Sequence, residues 1–267
     1  MRGPSAVALA VRLPDGGIVV RTQARPAITS RAWLLRLPVV RGVAVLGESL
    51  VIGIGAMMTA ADLVAPEEQK LSQGQKTLGV AGALVLAVGL FFVLPTWLAS
   101  LVRPRVPASA ALNLIEGGVR AAVLLGYLAA ISASRDIQRV LAYHGAEHKA
   151  LHALEHGRPL TAASARGFSR LHPRCGTSFL LLTVLVSIAL FALFGWPALW
   201  ARILLRVALL PVLAGLGYEA LRASAAFERT LRPLVLPGLW LQHLSTREPD
   251  DGQLEVALAA LQAVLVR

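Results

Sequence analysis

The stretch Tyr143-His144-Gly145-Ala146-Glu147-His148-Lys149-Ala150-Leu151-His152-Ala153-Leu154-Glu155-His156 carries four of the chain's six histidines and two carboxylates. Imidazoles and carboxylates are the side chains that ligate divalent ions and move protons near neutral pH. The order His144-x-x-Glu147-His148 is that of inverted zinc peptidases, in which two histidines hold zinc and the glutamate activates a water. A five-residue match is weak by itself, and geometry limits what it can do alone. On a helix, i and i+8 lie about 12 Å apart along the axis, so His144 and His152 do not easily share one ion. At least one ligand must come from elsewhere. His172 and Cys175, three residues apart, complete a mixed nitrogen and sulfur set of the kind zinc accepts. Glu219, a carboxylate in an apolar run, is a further candidate ligand or acid-base group, and equally a partner for Arg222. A lone cysteine is more often a small buried residue than a ligand.

The element that must position these groups is a helix over 135–156. Ser134 is an available N-cap, Asp136 favours the positive end of the helix dipole, and Gly157 with Pro159 ends it. At ~100° per residue, Ile137, Val140, Leu141 and Leu151 define an apolar stripe, with Ala142, Ala146 and Lys149 on the remaining surface. His144, His148 and Glu155 fall inside that stripe, and Glu147 and His152 lie on its shoulders. Polar groups where burial is expected need partners, and a metal satisfies imidazole and carboxylate together. The alternative is a helix end facing water, with solvated histidines.

The surroundings are those of a membrane protein. The 267 residues are 56% hydrophobic and only 15% charged, with a mean hydropathy of +0.65, which predicts a polytopic α-helical chain in contact with the lipid bilayer. The formal charge of +11 sits in segments between apolar runs without aromatic interleaving, so nucleic acid is not an expected partner. A single cysteine excludes an intrachain disulfide and suits a reducing face.

In order, residues 1–38 read as a β-hairpin (6–22, turn at Pro14-Asp15-Gly16-Gly17) and a basic linker. Residues 39–133 form a first membrane region, 134–177 the histidine-bearing loop, 178–222 a transmembrane hairpin, and 223–267 a tail. In the first region Arg41 and Glu48 share a helical face, and glycines 42, 47, 53 and 55 permit close packing. Thr77–Val102 is the clearest span, with Pro95 as a kink. Leu112–Ala133 carries the pair Glu116 and Arg120, for which a structural ion pair outweighs catalysis. Spans are expected at 178–200 and 203–221, joined by a short link containing Pro197 and Arg202. In the tail, Asp250 or Asp251 caps a final helix with Leu254, Ala257, Leu258, Leu261 and Leu265 on one face. Seven basic against three acidic residues in 134–177 put that region, like the basic amino terminus, on the cytoplasmic side of the inner membrane. That orientation requires four full spans, with 112–133 only partly inserted; five spans would put the site outside.

The segments Tyr143–Lys149, Ser169-Arg170-Leu171-His172-Pro173-Arg174-Cys175-Gly176-Thr177-Ser178-Phe179, Pro237-Gly238-Leu239-Trp240-Leu241-Gln242 and Thr246-Arg247-Glu248-Pro249-Asp250 resemble, in the same order, a bacterial membrane family, domain-of-unknown-function family 1385. The resemblance covers nearly the whole chain. It implies a metal-dependent enzyme whose pattern includes His144, Glu147, His148, His152, Glu155, His172 and Cys175, with His156 a local addition; it carries no substrate. The expected function is thus a membrane metallohydrolase. His144, His148, His172 and Cys175 are its metal ligands, Glu147 the general base, His152, Glu155 and Glu219 secondary candidates, and zinc the favoured divalent ion. A homo-oligomer is compatible with this reading. The alternatives are a non-catalytic scaffold stapled by metal, and a transporter using Glu48, Glu116 and Arg120, which the lack of an inverted repeat disfavours.

Overall fold

The computed structural model describes residues 1–3, 5–173, 175–226 and 232–266. Arg174 and the start of the tail at Phe227 lie outside the described residues. Two strands, β1 (Ala6–Arg12) and β2 (Ile18–Ala24), form an antiparallel hairpin with Ala6 opposite Ala24 and Arg12 opposite Ile18. Its turn closes as the composition predicts: Gly16 adopts φ +89° and the Asp15 carboxylate accepts from Gly17 N at 2.9 Å.

The helices are α1 (Val40–Val64), α2 (Gln73–Val88), α3 (Leu94–Leu101), α4 (Ser109–Ile131), α5 (Arg135–Glu155), α6 (Ala162–Arg166), α7 (Thr177–Ala192), α8 (Leu199–Ala208), α9 (Leu210–Ala226), α10 (Arg232–Ser245) and α11 (Asp251–Leu265). Ser72 and Gln75 form a reciprocal capping box on α2. A π turn at Gly89–Val93 joins α2 to α3 just ahead of Pro95, relieving the backbone where proline removes a donor. By length and composition Val40–Val64, Gln73–Leu101 and Ser109–Ile131 are able to cross a membrane, and α8 with α9 would be a fourth if the pair, bent by 52°, is one crossing.

The 112–133 segment, expected to be partly inserted, lies within α4, whose length and composition would allow a crossing. Two other expectations change. The 178–200 span ends as a helix at Ala192, where Gly195 at φ +61° and Pro197 turn the chain; 16 residues reach about 24 Å. Arg202 lies within α8 and is buried, not in a link.

Two cores hold the molecule. In one, Leu124, Leu128, Val184 and Leu241 pack α4, α7 and α10 together. α3 and α4 run antiparallel, with Phe91 of the π turn edge-on to Tyr127 at 5.4 Å and Thr96 bonded to Glu116 at 3.0 Å. In the other, Ala8 of β1, Ala146, Ala150 and Ala153 of α5, and Leu254, Ala257, Leu258, Leu261 and Val264 of α11 pack face to face. Asp250 caps α11 through a reciprocal box with Gln253. Leu265, expected on the inward face, is 50% exposed because the inward register runs to Val264.

α1 lies apart from the bundle for most of its length. Its first turn crosses α9, where a Cβ on Gly42 would sit 2.8 Å from Gly215 O, while glycines 47, 53 and 55 meet no neighbour. Arg41 binds Glu219 and Glu48 binds Arg2, so those two charges serve separate partners. Its last turns border a cavity of about 320 Å³ with Val11, Tyr143 and Val256.

Candidate metal centre

α5 is a helix as expected, but it is turned. Its buried residues are Ala142, Gly145, Ala146, His148, Lys149, Ala150 and Ala153, of which His148 was expected inward, and Val140 is 55% exposed. The stripe of large apolar residues therefore does not mark the core side. Small side chains do, because they let α11 and the segment after α10 approach closely. A Cβ on Gly145 would lie 2.2 Å from Arg247 O, at the place where Arg247 N bonds Leu141 O at 2.9 Å. Lys149, expected on the surface, is buried and bound to Arg166 O at 2.8 Å and to Glu248. The histidines occupy the flank of this contact, facing the loop between α6 and α7.

Two groups of ligand atoms converge there: His144, His148 and Cys175, and beside them His152, Glu155 and His172, each group with its donor atoms within 4.8 Å of one another. The His148 and His172 rings lie 5.6 Å apart. The structure thus brings together six of the expected site residues, dividing His172 from the set with Cys175. Glu219 joins neither group, being engaged by Arg41 Nε at 2.6 Å. Glu147 is half exposed; it lies 3.9 Å from the Met1 ammonium, and its charge reaches His144.

The hydrogen bonds behind the rings decide which nitrogens face the groups. His144 Nδ1 meets Ser245 O at 2.8 Å, His148 Nδ1 meets Arg170 O at 2.6 Å, and His152 Nε2 meets Leu171 O at 2.9 Å. A carbonyl only accepts, so each of these nitrogens carries the proton, leaving the opposite nitrogen available as a ligand. His144 Nε2 accordingly lies 3.3 Å from Cys175 Sγ. His172 is set by its main chain: the Gln242 amide accepts from His172 N at 2.8 Å and donates to His172 O at 2.9 Å. His172 Nε2 is 3.3 Å from Glu155 Oε2. Burial is deep, with His148 4%, His172 2% and Cys175 5% exposed.

Electrostatics follow. Burial alone would raise the Cys175 thiol, but hydrogen bonds from His144, His148 and Thr177 outweigh it and lower its pKa to about 5. The thiol stands just before α7, whose first residue, Thr177, directs its N–H at the sulfur from 3.4 Å, a setting that favours thiolate. Burial works to lower His144, yet the hydrogen bond and charge of Cys175 raise it. His172 is lowered, chiefly by burial, against the pull of Glu155. Cys175 and His144 thus favour each other's charged forms, the thiol's pKa being lowered and the imidazole's raised by the contact between them. Soft sulfur, imidazole and carboxylate donors with carbonyl-pinned rings suit a borderline ion such as zinc.

A cavity of about 770 Å³ is bordered by Arg139, Tyr143 and Arg247; these α5 positions are on the side of the helix away from His148. Sequence reasoning missed the supports: the Ser245, Arg170 and Leu171 carbonyls, Thr177 and Gln242. Only Gln242 leaves a sequence trace, as an amide in the apolar run Leu239-Trp240-Leu241-Gln242.

The family described as "Protein of unknown function (DUF1385)" matches residues 37–267. The chain is 34% identical over 272 residues to the uncharacterized protein YqhQ of Bacillus subtilis (strain 168), covering 96% of this chain and 86% of that one. No solved structure matches. The matched residues take in every helix and both ligand groups, and on that match the chain belongs to the DUF1385 family.

Proposed function

We propose that this protein is a metal-dependent membrane enzyme, most simply a hydrolase, with one divalent ion at His144, His148 and Cys175 and a second at His152, Glu155 and His172. The observation that carries the reading is the pinning of three rings by main-chain carbonyls, which commits their other nitrogens to the two groups. When bound, such ions act as Lewis acids and lower the pKa of a bound water. The chain's own part is to orient and to take protons. Ser245, Arg170 and Leu171 hold the rings, Gln242 holds the His172 backbone, and Glu147, half exposed beside His144, accepts the proton of an attacking water. Metal analysis of purified protein tests this. Wild type should retain stoichiometric zinc, and the double variant His144→Ala, His148→Ala should lose the ion of the first group. Unchanged metal in the double variant would end the proposal.

A second reading, a non-catalytic scaffold, draws support from the way both groups tie α5 to the loop before α7, and from the 770 Å³ cavity being bordered by neither group. The two readings part at Glu147→Gln. A scaffold keeps full cellular function in that variant, whereas the enzyme loses it with its metal retained.

For the membrane, we propose crossings at Gln73–Leu101, Ser109–Ile131, Thr177–Ala192 and α8 with α9. α1 lies at the site end beside the hairpin. Even numbers of crossings then separate the amino terminus, α5 and α11, so all three share one side. The excess of arginine and lysine in the amino terminus and in 134–177 favours the cytoplasm for that side.

A further inference from the structure

The crossings hide an imbalance of charge at the end remote from the histidines. Arg120, Arg202 and Arg206 are all buried, at 4%, 1% and 0% exposure. Among the described residues one carboxylate, Glu116, answers them. It accepts from Arg120 at 2.8 Å and from Arg206 at 3.1 and 3.2 Å. Arg120 is further bonded to Phe91 O and Ser187 Oγ, and Arg206 to Asn113 Oδ1. Three guanidiniums against one carboxylate leave two positive charges in excess. Arg202 is the outlier. It stacks on Trp196 at 3.8 Å and reaches only the Thr96 and Pro197 carbonyls, at 3.4 and 3.5 Å. Arg202 Nε, Arg206 Nη1 and Trp196 Nε1 are buried donors with no partner among the described residues.

An arginine does not shed its proton to escape burial, so an unanswered guanidinium calls for an anion. The surroundings say which kind. Trp97, Trp200, Leu193, Phe194 and Leu204, from the same end of the bundle, are exposed apolar side chains. Tryptophans in such a ring mark the level of lipid headgroups. Guanidinium forks and an indole N–H match phosphate oxygens.

We propose that Arg202, Arg206 and Trp196 form a binding site for a phosphate anion, carried by the headgroup of a membrane phospholipid. The proposal goes beyond the metal chemistry and uses only the membrane part of the reading above.

The test uses the full chain purified in lipid-free detergent. The unfolding temperature is measured after adding phosphatidylglycerol, diacylglycerol of the same chains, or inorganic phosphate, and native mass spectrometry reads retained phospholipid. The expected result is a rise with phosphatidylglycerol alone and a retained phospholipid. Arg202→Gln should be more stable than wild type without lipid, because a buried unpaired charge is gone, and should lose both the rise and the retained lipid. Arg158→Gln, in an exposed loop, should respond like wild type. An equal rise with inorganic phosphate would overturn the lipid source and leave a free-anion site. A wild type indifferent to every addition, or an Arg202→Gln variant that keeps the rise, would overturn the site itself. Membrane fractionation of cells separates this from failure of the membrane reading: a chain that sediments with membranes yet ignores phosphatidylglycerol sinks only the site.

Discussion

At the scale of single residues, Cys175 is where the local environment departs furthest from ordinary chemistry. Its folded pKa of about 5 lies below that of a free thiol, about 8.5. A depressed folded value contributes stability that is fully present above the unfolded pKa and is lost as pH falls through the folded one. The metal-free protein should therefore keep thiolate absorbance in the far ultraviolet at neutral pH and lose it only as pH falls through about 5, with Cys175→Ser as the blank. Absorbance that appears only near the free-thiol value would show that the His144 and Thr177 contacts do not hold the sulfur. The cysteine and the histidines were legible as donors from their types. Their division was not, because it depends on a Gln242–His172 clamp between residues 70 apart.

At the scale of elements, α5 shows what periodicity reads well and what it misreads. Its limits and its end at Gly157 (φ +62°) followed from local rules. Its orientation did not, because Leu, Ile and Val were weighed as core and Ala and Gly as filler. Close helix contacts reverse that weighting: Ala146, Ala150 and Ala153 are fully buried, and Lys149 enters the core by spending its charge on Glu248. Gly145→Ala tests the crossing. A methyl 2.2 Å from a backbone oxygen cannot be accommodated by a rotamer change, so the loss should be at least the ~1–3 kcal/mol of overpacking. The thermal unfolding midpoint checks it, and metal content should fall with it if Arg247 and Ser245 move. An unchanged midpoint would mean that the 246–248 segment does not cross α5 where it is placed. Ser134 is a smaller correction: it occupies the N-cap without a side-chain bond.

At the scale of the molecule, the apolar helices and the basic segments were readable from composition, whereas the role of each helix was not. Length and hydropathy make Val40–Val64 a crossing candidate, yet its neighbours include the hairpin and Tyr143, contacts that no window of sequence contains. Cysteine labelling in a Cys175→Ser background separates the arrangements. Arg158→Cys and Arg105→Cys, both at exposed positions, should react with a membrane-impermeant maleimide from opposite sides, Arg158→Cys from the cytoplasm. Lys149 is unsuited to this test because it is buried. Reaction of both positions from the same side would refute the four-crossing arrangement.

The packing of α11 between β1 and α5 also sets an order of events during synthesis. β1 precedes α5 in the chain and α11 follows it, so the alanine face of α5 waits with its α11 wall missing while α6 to α10 are made. A nascent chain arrested before Asp251 should be cut by added protease within α5, and one extended past Leu265 should resist. Maturation of the histidine face then waits until α11 has been made.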